Sequence, residues 1–262
     1  MVRVYEDLDA LSRAAAEEIV RVAARAVAER GRFTISLAGG STPRRLYEIL
    51  AGEYHEKMPW GATHIFFGDE RCVPPTDGAS NYHMANEALL SRVPIADGQV
   101  HRIHGELTPL GAAREYGRLL RRVFDVEHAS HPSSAAPAAT TFDVALLGVG
   151  PDGHTASLFP GSPALDEMKH WATEVDAPDY IAPPRARVTL TFPALNAART
   201  VIFLVAGEEK QHAVGEILDA DATGSLSYPA ARIHGTQRTI WMLDRAAAGM
   251  VDSSVVSPYS AG

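Results

Sequence analysis

A histidine suited to proton transfer stands at the end of a glycine-rich loop in the segment GVGPDGHTASLFPG, residues 148–161. This loop follows the apolar run FDVALLG, which predicts a buried strand. Histidine changes its charge near neutral pH, so His154 is a candidate general base. Asp152 could orient the imidazole or bind substrate, although aspartate before glycine is also ordinary turn chemistry.

The first six residues of the same segment match G-x-G-x-x-G, the pattern of a dinucleotide-binding loop. A dinucleotide loop needs a full helix after its third glycine, but only HTASLF separates Gly153 from Pro160. Pro151 also lacks the amide hydrogen that a pyrophosphate would use. We therefore interpret the segment as a catalytic loop. No H-x-x-x-H pattern or cysteine pair accompanies His154, which disfavours a metal site.

A second loop, after the apolar run FTISLA, has the features of an anion site. It consists of Gly39, Gly40, Ser41, Thr42 and Pro43. The glycines allow a ligand to approach the backbone, Ser41 or Thr42 can cap the next helix, and Pro43 suits its first position. A helix that begins there directs free N–H groups and the positive end of its dipole toward an anion. An ordinary strand–turn–helix junction has the same pattern.

Charged side chains follow two further predicted strands. Asp69, Glu70 and Arg71 come after HIFF, and Lys210 lies about one turn into the helix after VIFLVA. An arginine can hold a phosphate through two hydrogen bonds. Adjacent charges are more often a solvated cluster, so a phosphate site is expected only if these loops converge in the fold.

Apolar runs alternate with amphipathic segments along the chain. Helical spacing covers residues 8–30, 41–50, 81–93 and 111–124, and the predicted strands are 33–38, 64–68, 143–150, 187–192, 200–207 and 239–243. Apolar strands with little polar alternation suit a parallel sheet covered on both faces. The pattern predicts a three-layer α/β/α, Rossmann-like fold with a mostly parallel sheet. We expect a single domain over residues 1–262, with a flexible Ala/Ser/Pro-rich surface loop at 128–141.

The composition excludes several classes of partner. The chain has 262 residues and a net charge of −8, so we expect neither nucleic acid nor an anionic membrane as a partner. Its one cysteine, Cys72, cannot form an internal disulfide. No apolar run approaches the ~18–20 residues that a membrane-spanning helix needs. These features predict a cytoplasmic, soluble protein.

Taken in order, these blocks resemble the 6-phosphogluconolactonase family of the glucosamine/galactosamine-6-phosphate isomerase superfamily. The resemblance rests on residues 36–47, 66–90, 100–106, 143–165, 187–199 and 204–210, and DGHTASLFPG is its most specific part. It implies a pentose phosphate pathway enzyme that hydrolyses 6-phosphoglucono-δ-lactone to 6-phosphogluconate without a metal or organic cofactor. The implied partner is a small-molecule sugar phosphate lactone, and the chain is expected to be a monomer or a weak homodimer.

The resemblance also assigns roles to residues. The catalytic histidine of the family matches His154, and its phosphate-binding positions match the Gly39–Thr42 loop, Arg71 and Lys210. Arg187 falls at the strand-borne arginine of the family. Asp69 is expected among the substrate-binding groups.

One position separates this chain from the related aminosugar-phosphate isomerases. They resemble it at the first loop, at Asp69 and at Asp152-Gly153-His154, and then continue with a glutamate that assists ring opening. Phe159 stands where that acid would be, and phenylalanine cannot transfer a proton. Lactone hydrolysis is therefore favoured. The alternatives are a glucosamine-6-phosphate deaminase-like isomerase and a non-catalytic sugar-phosphate-binding protein.

Overall fold

The computed structural model describes residues 1–129, 141–181, 185–223 and 228–257, so most of the predicted 128–141 loop lies outside it. The helices are α1 (Leu8–Arg30), α2 (Ser41–Ala51), α3 (Asn81–Ala88), α4 (Pro109–Ala129), α5 (Phe192–Asn196) and α6 (Gln211–Thr223). The strands are β1 (Val2–Tyr5), β2 (Phe33–Leu37), β3 (Thr63–Phe67), β4 (Asp69–Arg71), β5 (Val144–Leu147), β6 (Ala172–Asp176), β7 (Ala186–Leu190), β8 (Thr200–Val205) and β9 (Arg238–Asp244). No helix within the described ranges is long and apolar enough to cross a membrane.

Six strands form a parallel sheet in the order β1-β9-β8-β5-β2-β3. Every residue of β2, β5 and β8 is buried, as expected for parallel strands covered on both faces. Phe66 of β3 packs against Phe124 of α4, whereas the ring of its neighbour Phe67 contacts Tyr82 of α3. Successive side chains of a strand point to opposite faces, so helices cover both faces of the sheet. The predicted three-layer α/β/α fold with a mostly parallel sheet is confirmed.

The strand order reverses between β2 and β5, which are neighbours in the sheet. From β2 the chain moves outward to β3, and from β5 it moves in the other direction through β8 to β9. The loops that follow β2 and β5 diverge at this point and leave a crevice beyond the carboxyl ends of the strands. Open α/β sheets bind their ligands at such reversals.

A smaller antiparallel sheet, in the order β4-β7-β6, was not predicted. The segment 187–192 was expected to be a strand of the parallel sheet. Its strand β7 pairs antiparallel instead and ends at Leu190, and Phe192 begins α5. Strand β4 escaped prediction because its three residues are all charged, and β1 and β6 were also missed.

Two predicted elements end three and five residues before their expected ends. The strand expected over 143–150 ends at Leu147, because the glycines that follow form a loop. The helix expected over 81–93 ends at Ala88, where Leu89 leaves helical geometry, and a single 3-10 turn follows at Leu90–Arg92. By contrast, α1 has the predicted bounds of 8–30.

The first and last described segments meet at one edge of the parallel sheet. Strand β1 pairs with β9, with Val2 opposite Trp241. The backbone N–H of Ser257 donates to the carbonyl of Val2 at 2.8 Å. The first strand is therefore fixed between β9 and the segment that follows β9.

Candidate active site

A cleft of about 250 Å³ lies beyond the carboxyl ends of β2, β5 and β8. Its walls are the loops that follow these strands, together with side chains from β4 and β7. All the predicted site residues except Asp152 line it, namely Gly39, Gly40, Ser41, Thr42, Asp69, Arg71, His154, Arg187 and Lys210. The separate loops therefore converge, which was the condition for interpreting their charges as one anion site.

His154 and Asp152 form a hydrogen-bonded pair at the edge of this cleft. The Nδ1 atom of His154 lies 2.5 Å from Oδ1 of Asp152, which also accepts the backbone N–H of His154 at 3.2 Å. The loop brings them together by folding back on Gly150, whose N–H donates to the His154 carbonyl at 2.8 Å. A Cβ added at Gly150 would lie 2.1 Å from Nδ1 of His154, so this position requires glycine.

The Asp152 carboxylate is held ionised by its partners. Burial raises the pKa of Asp152. Hydrogen bonds from His154 and from the Tyr180 hydroxyl have a larger effect in the opposite direction, and the pKa falls to about 2. The Tyr180 hydroxyl donates to Oδ2 at 3.0 Å. Since Nδ1 of His154 faces this carboxylate, Nδ1 carries the proton, and Nε2 is left as the basic atom of the ring.

This lowered pKa predicts a pH-dependent contribution to stability. A depressed carboxyl pKa stabilises the folded state above the unfolded value of 3.8, and the effect is lost as pH falls toward about 2. We expect Asp152→Asn to lower the free energy of unfolding by roughly 2 kcal/mol at pH 6. Urea unfolding of both proteins from pH 6 to pH 2.5 checks this expectation. A difference that stays constant over this range would contradict it.

Two arginines stand side by side on β4 and β7. Arg71 and Arg187 are paired residues of the antiparallel ladder, and both line the cleft. The Nε atom of each is buried, and within the described ranges neither has a hydrogen-bond partner. Burial lowers the pKa of Arg187, as does the neighbouring charge of Arg71, while Asp69 raises it. Two adjacent guanidinium groups with unused donors suit a bound anion.

Phe159 fills the space between the histidine and one of these arginines. Its ring centroid is 4.8 Å from that of His154 and 5.5 Å from the Arg187 guanidinium carbon. The ring is fully buried. An apolar side chain therefore stands beside the candidate base, where an acid would supply a second proton-transfer group.

Asp69 is a buried carboxylate held by two residues that the sequence did not indicate. Asn81 donates from Nδ2 to its Oδ1 at 3.0 Å, and Ser157 donates from Oγ to its Oδ2 at 2.5 Å. Arg187 is 3.9 Å away. Glu70 does not line the cleft, since its carboxylate accepts the N–H groups of Asn81 and Tyr82 at the start of α3. The three adjacent charges of β4 thus have different environments.

The first loop differs in detail from its predicted capping. Gly40, with a φ of 102°, is the N-cap residue of α2, and no side chain caps this helix. Ser41 and Thr42 are the first helical residues. The expected cap at Ser41 or Thr42 is therefore wrong by one or two residues, and Pro43 is the third helical residue instead of the first. Because Gly40 can adopt a positive φ, the helix begins directly after it, closer to the N-terminus than expected. Ser41 and Thr42 line the cleft, and the N–H groups of the first turn of a helix have no partner within that helix.

Gly39 is required by close packing, which gives a second prediction. A Cβ at this position would lie 2.0 Å from Oδ1 of Asn81. We expect Gly39→Ala to displace Asn81, release Asp69 and destabilise the fold by about 1–3 kcal/mol. A Cβ at Gly61 meets no described atom within 4 Å, so Gly61→Ala is the matched control. Urea unfolding checks both variants, and equal stability of the two would contradict the prediction.

Lys210 is the third cationic side chain of the cleft. Arg71, Arg187 and Lys210 together form its cationic wall. Lys210 ends a single 3-10 turn that precedes α6, and its side chain is 20% exposed. Burial lowers the pKa of Lys210, while Glu209 and Asp152 raise it. Within the described part of the chain, no group of three or more His, Cys, Asp or Glu residues is placed to hold a metal ion.

Comparison with known proteins shows which family this chain resembles. The family model described as glucosamine-6-phosphate isomerases/6-phosphogluconolactonase matches residues 6–241. A 6-phosphogluconolactonase of Synechocystis sp. is 42% identical over 224 residues, covering 85% of this chain and 86% of that protein. One of Streptomyces coelicolor is 37% identical over 264 residues, covering 98% and 97%.

The fold of this chain is also similar to those of solved structures. The crystal structure of 6-phosphogluconolactonase from Thermotoga maritima has a TM-score of 0.77 and 33% identity. The match covers 94% of this chain and all of that one. The chain therefore belongs to the glucosamine-6-phosphate isomerase/6-phosphogluconolactonase family.

Proposed function

We propose that the protein hydrolyses 6-phospho-D-glucono-1,5-lactone to 6-phospho-D-gluconate. The observation that carries the proposal is the His154–Asp152 pair, which meets a cleft walled by Arg71, Arg187 and Lys210. A general base and a group of cations are what a phosphorylated lactone needs. Relatives at 37–42% identity are named for this reaction, which supports the same substrate here.

His154 acts as the general base. Its Nε2 atom takes a proton from a water molecule as the water oxygen attacks C1 of the lactone. The tetrahedral oxyanion then collapses, the bond from C1 to the ring oxygen breaks, and the imidazolium returns its proton to that oxygen. The ring opens to a hydroxyl group and a carboxylic acid, which ionises in solution. Asp152 holds the imidazole in the tautomer that this role needs and stabilises its positive charge.

The 6-phosphate binds to the cationic wall and fixes the distance from C1 to His154. The first-turn amides of α2 and the side chains of Arg71, Arg187 and Lys210 supply the donors. Backbone N–H groups in the 148–154 loop are candidates for stabilising the oxyanion. Asp69 is available to accept hydrogen bonds from sugar hydroxyls, because Ser157 and Asn81 occupy only part of its capacity.

Phe159 favours hydrolysis over aminosugar isomerisation. Ring opening of an aminosugar phosphate uses an additional acid, and the buried phenyl ring beside His154 cannot provide it. Lactone hydrolysis needs only the base, a water molecule and stabilisation of the oxyanion.

A coupled assay tests the proposal. Freshly prepared 6-phosphogluconolactone is supplied with 6-phosphogluconate dehydrogenase, and the rate is compared with spontaneous hydrolysis. We expect clear acceleration that depends on protein concentration. Release of ammonia from glucosamine 6-phosphate would instead support the deaminase alternative. Lactone binding without turnover would support a non-catalytic binding protein.

A further inference from the structure

The connection between β6 and β7 carries a tyrosine that reaches the candidate catalytic pair. Tyr180 lies between Asp176, the end of β6, and Ala186, the start of β7. The residue is 64% exposed, yet its hydroxyl donates to Oδ2 of Asp152 at 3.0 Å. The hydroxyl of an exposed tyrosine usually makes its hydrogen bonds with water. The hydroxyl of Tyr180 instead donates to the carboxylate that holds His154.

The two oxygens of Asp152 are divided between two partners. Oδ1 lies against Nδ1 of His154, and Oδ2 accepts the hydroxyl of Tyr180. A carboxylate held at one oxygen alone can rotate about its terminal bond and exchange that partner for water. A donor at the second oxygen fixes the carboxylate plane, and with it the direction of the imidazole.

We propose that Tyr180 is a positioning residue that fixes Asp152, and through Asp152 the ring of His154, from the β6–β7 connection. The role assigned to His154 rests on the proposed hydrolysis, but the positioning itself does not depend on the substrate. Strand β7, which follows this connection, also carries Arg187 into the cleft. One hairpin thus supplies both a cationic side chain of the cleft and the anchor of the Asp152–His154 pair.

The test compares Tyr180→Phe with a matched variant, Tyr228→Phe. The Tyr228 ring lies against the same loop, since a Cβ added at Gly153 would meet its Cδ1 at 2.0 Å. Among the described residues, only His154 and Tyr180 make hydrogen bonds to the Asp152 carboxylate. Each change removes the hydroxyl of a tyrosine that contacts the 148–154 loop. Only the change at Tyr180 removes a hydrogen bond to Asp152.

Kinetics and NMR give two independent readouts. We expect Tyr180→Phe to lower kcat about three- to tenfold with KM unchanged, and Tyr228→Phe to keep wild-type values. The Nδ1 proton of His154, in its short bond to Asp152, should give a downfield proton resonance in wild type and Tyr228→Phe. This resonance should broaden or vanish in Tyr180→Phe, whether or not the lactone is the substrate.

Each outcome has a separate meaning. Failure of the wild-type protein to hydrolyse the lactone would remove the proposed function, while the NMR comparison would still test the anchor. An unchanged downfield resonance in Tyr180→Phe would overturn the positioning role. A raised KM at constant kcat would also overturn it, because Tyr180 would then bind substrate directly.

Discussion

Replacing His154 with glutamine should lower kcat for 6-phosphogluconolactone by about 10²- to 10⁴-fold, with little change in KM. Glutamine keeps much of the size and polarity of the ring, but it cannot accept a proton from water at neutral pH. Because the cationic wall is untouched, the substrate should still bind. Initial rates in the coupled assay, corrected for spontaneous hydrolysis, measure the effect.

The matched control for this variant is His170→Gln. His170 also pairs with a carboxylate, since its Nδ1 lies 3.0 Å from Glu167, but its side chain is 69% exposed and does not line the cleft. We expect wild-type kinetics from it. If His154→Gln retained the wild-type kcat, the histidine would be excluded from the mechanism.

Replacing Arg187 with methionine should have opposite effects on activity and on stability. Loss of a buried, charge-assisted donor to the phosphate should lower kcat/KM roughly 10- to 100-fold. Yet the charge is costly to bury: burial lowers the pKa of Arg187, its Nε lacks a partner among the described residues, and its carboxylate neighbour is 3.9 Å away. Methionine fills a similar space without charge. Because the folded protein disfavours the charged form of Arg187 even with Asp69 beside it, the free energy of unfolding without ligand should stay equal or rise.

An exposed arginine gives the comparison for both measurements. Arg25 also lies 3.9 Å from a carboxylate, that of Glu29, but on the surface of α1. Arg25→Met should change neither kcat/KM nor the urea midpoint appreciably. A marked loss of stability in Arg187→Met would show that the arginine holds the fold together, and wild-type kcat/KM would remove it from the phosphate site.

The sequence was informative where a pattern repeats or where a loop follows an apolar strand. The long amphipathic period of α1 predicted its bounds, and the runs that became β2, β5 and β8 predicted the parallel sheet. Parallel strands end at one edge, so the loops after them had to approach one another. The positions of Gly39, His154 and Lys210 in one cleft follow from that rule.

The sequence did not predict the role of a residue that acts only through a contact with a residue distant in the chain. Asn81 and Ser157 hold Asp69 from 12 and 88 residues away, and nothing near them in the sequence marks that contact. The antiparallel pairing of β4 with β7 was also hidden, because three charged residues show no apolar alternation. Arg187 was identified from the family resemblance alone, and its pairing with Arg71 became visible only in the fold.

The pairing of β1 with β9 has a consequence for how the protein is made. During synthesis the first strand leaves the ribosome long before its neighbour in the sheet, which begins at Arg238. Until β9 is made, the backbone N–H and C=O groups on that edge of β8 are unpaired and can bind strands of other chains. Completion of the sheet must wait for a contact between distant parts of the chain, which slows folding. A chain that stalls just before β9 would already contain every residue of the cleft, yet we expect it to aggregate.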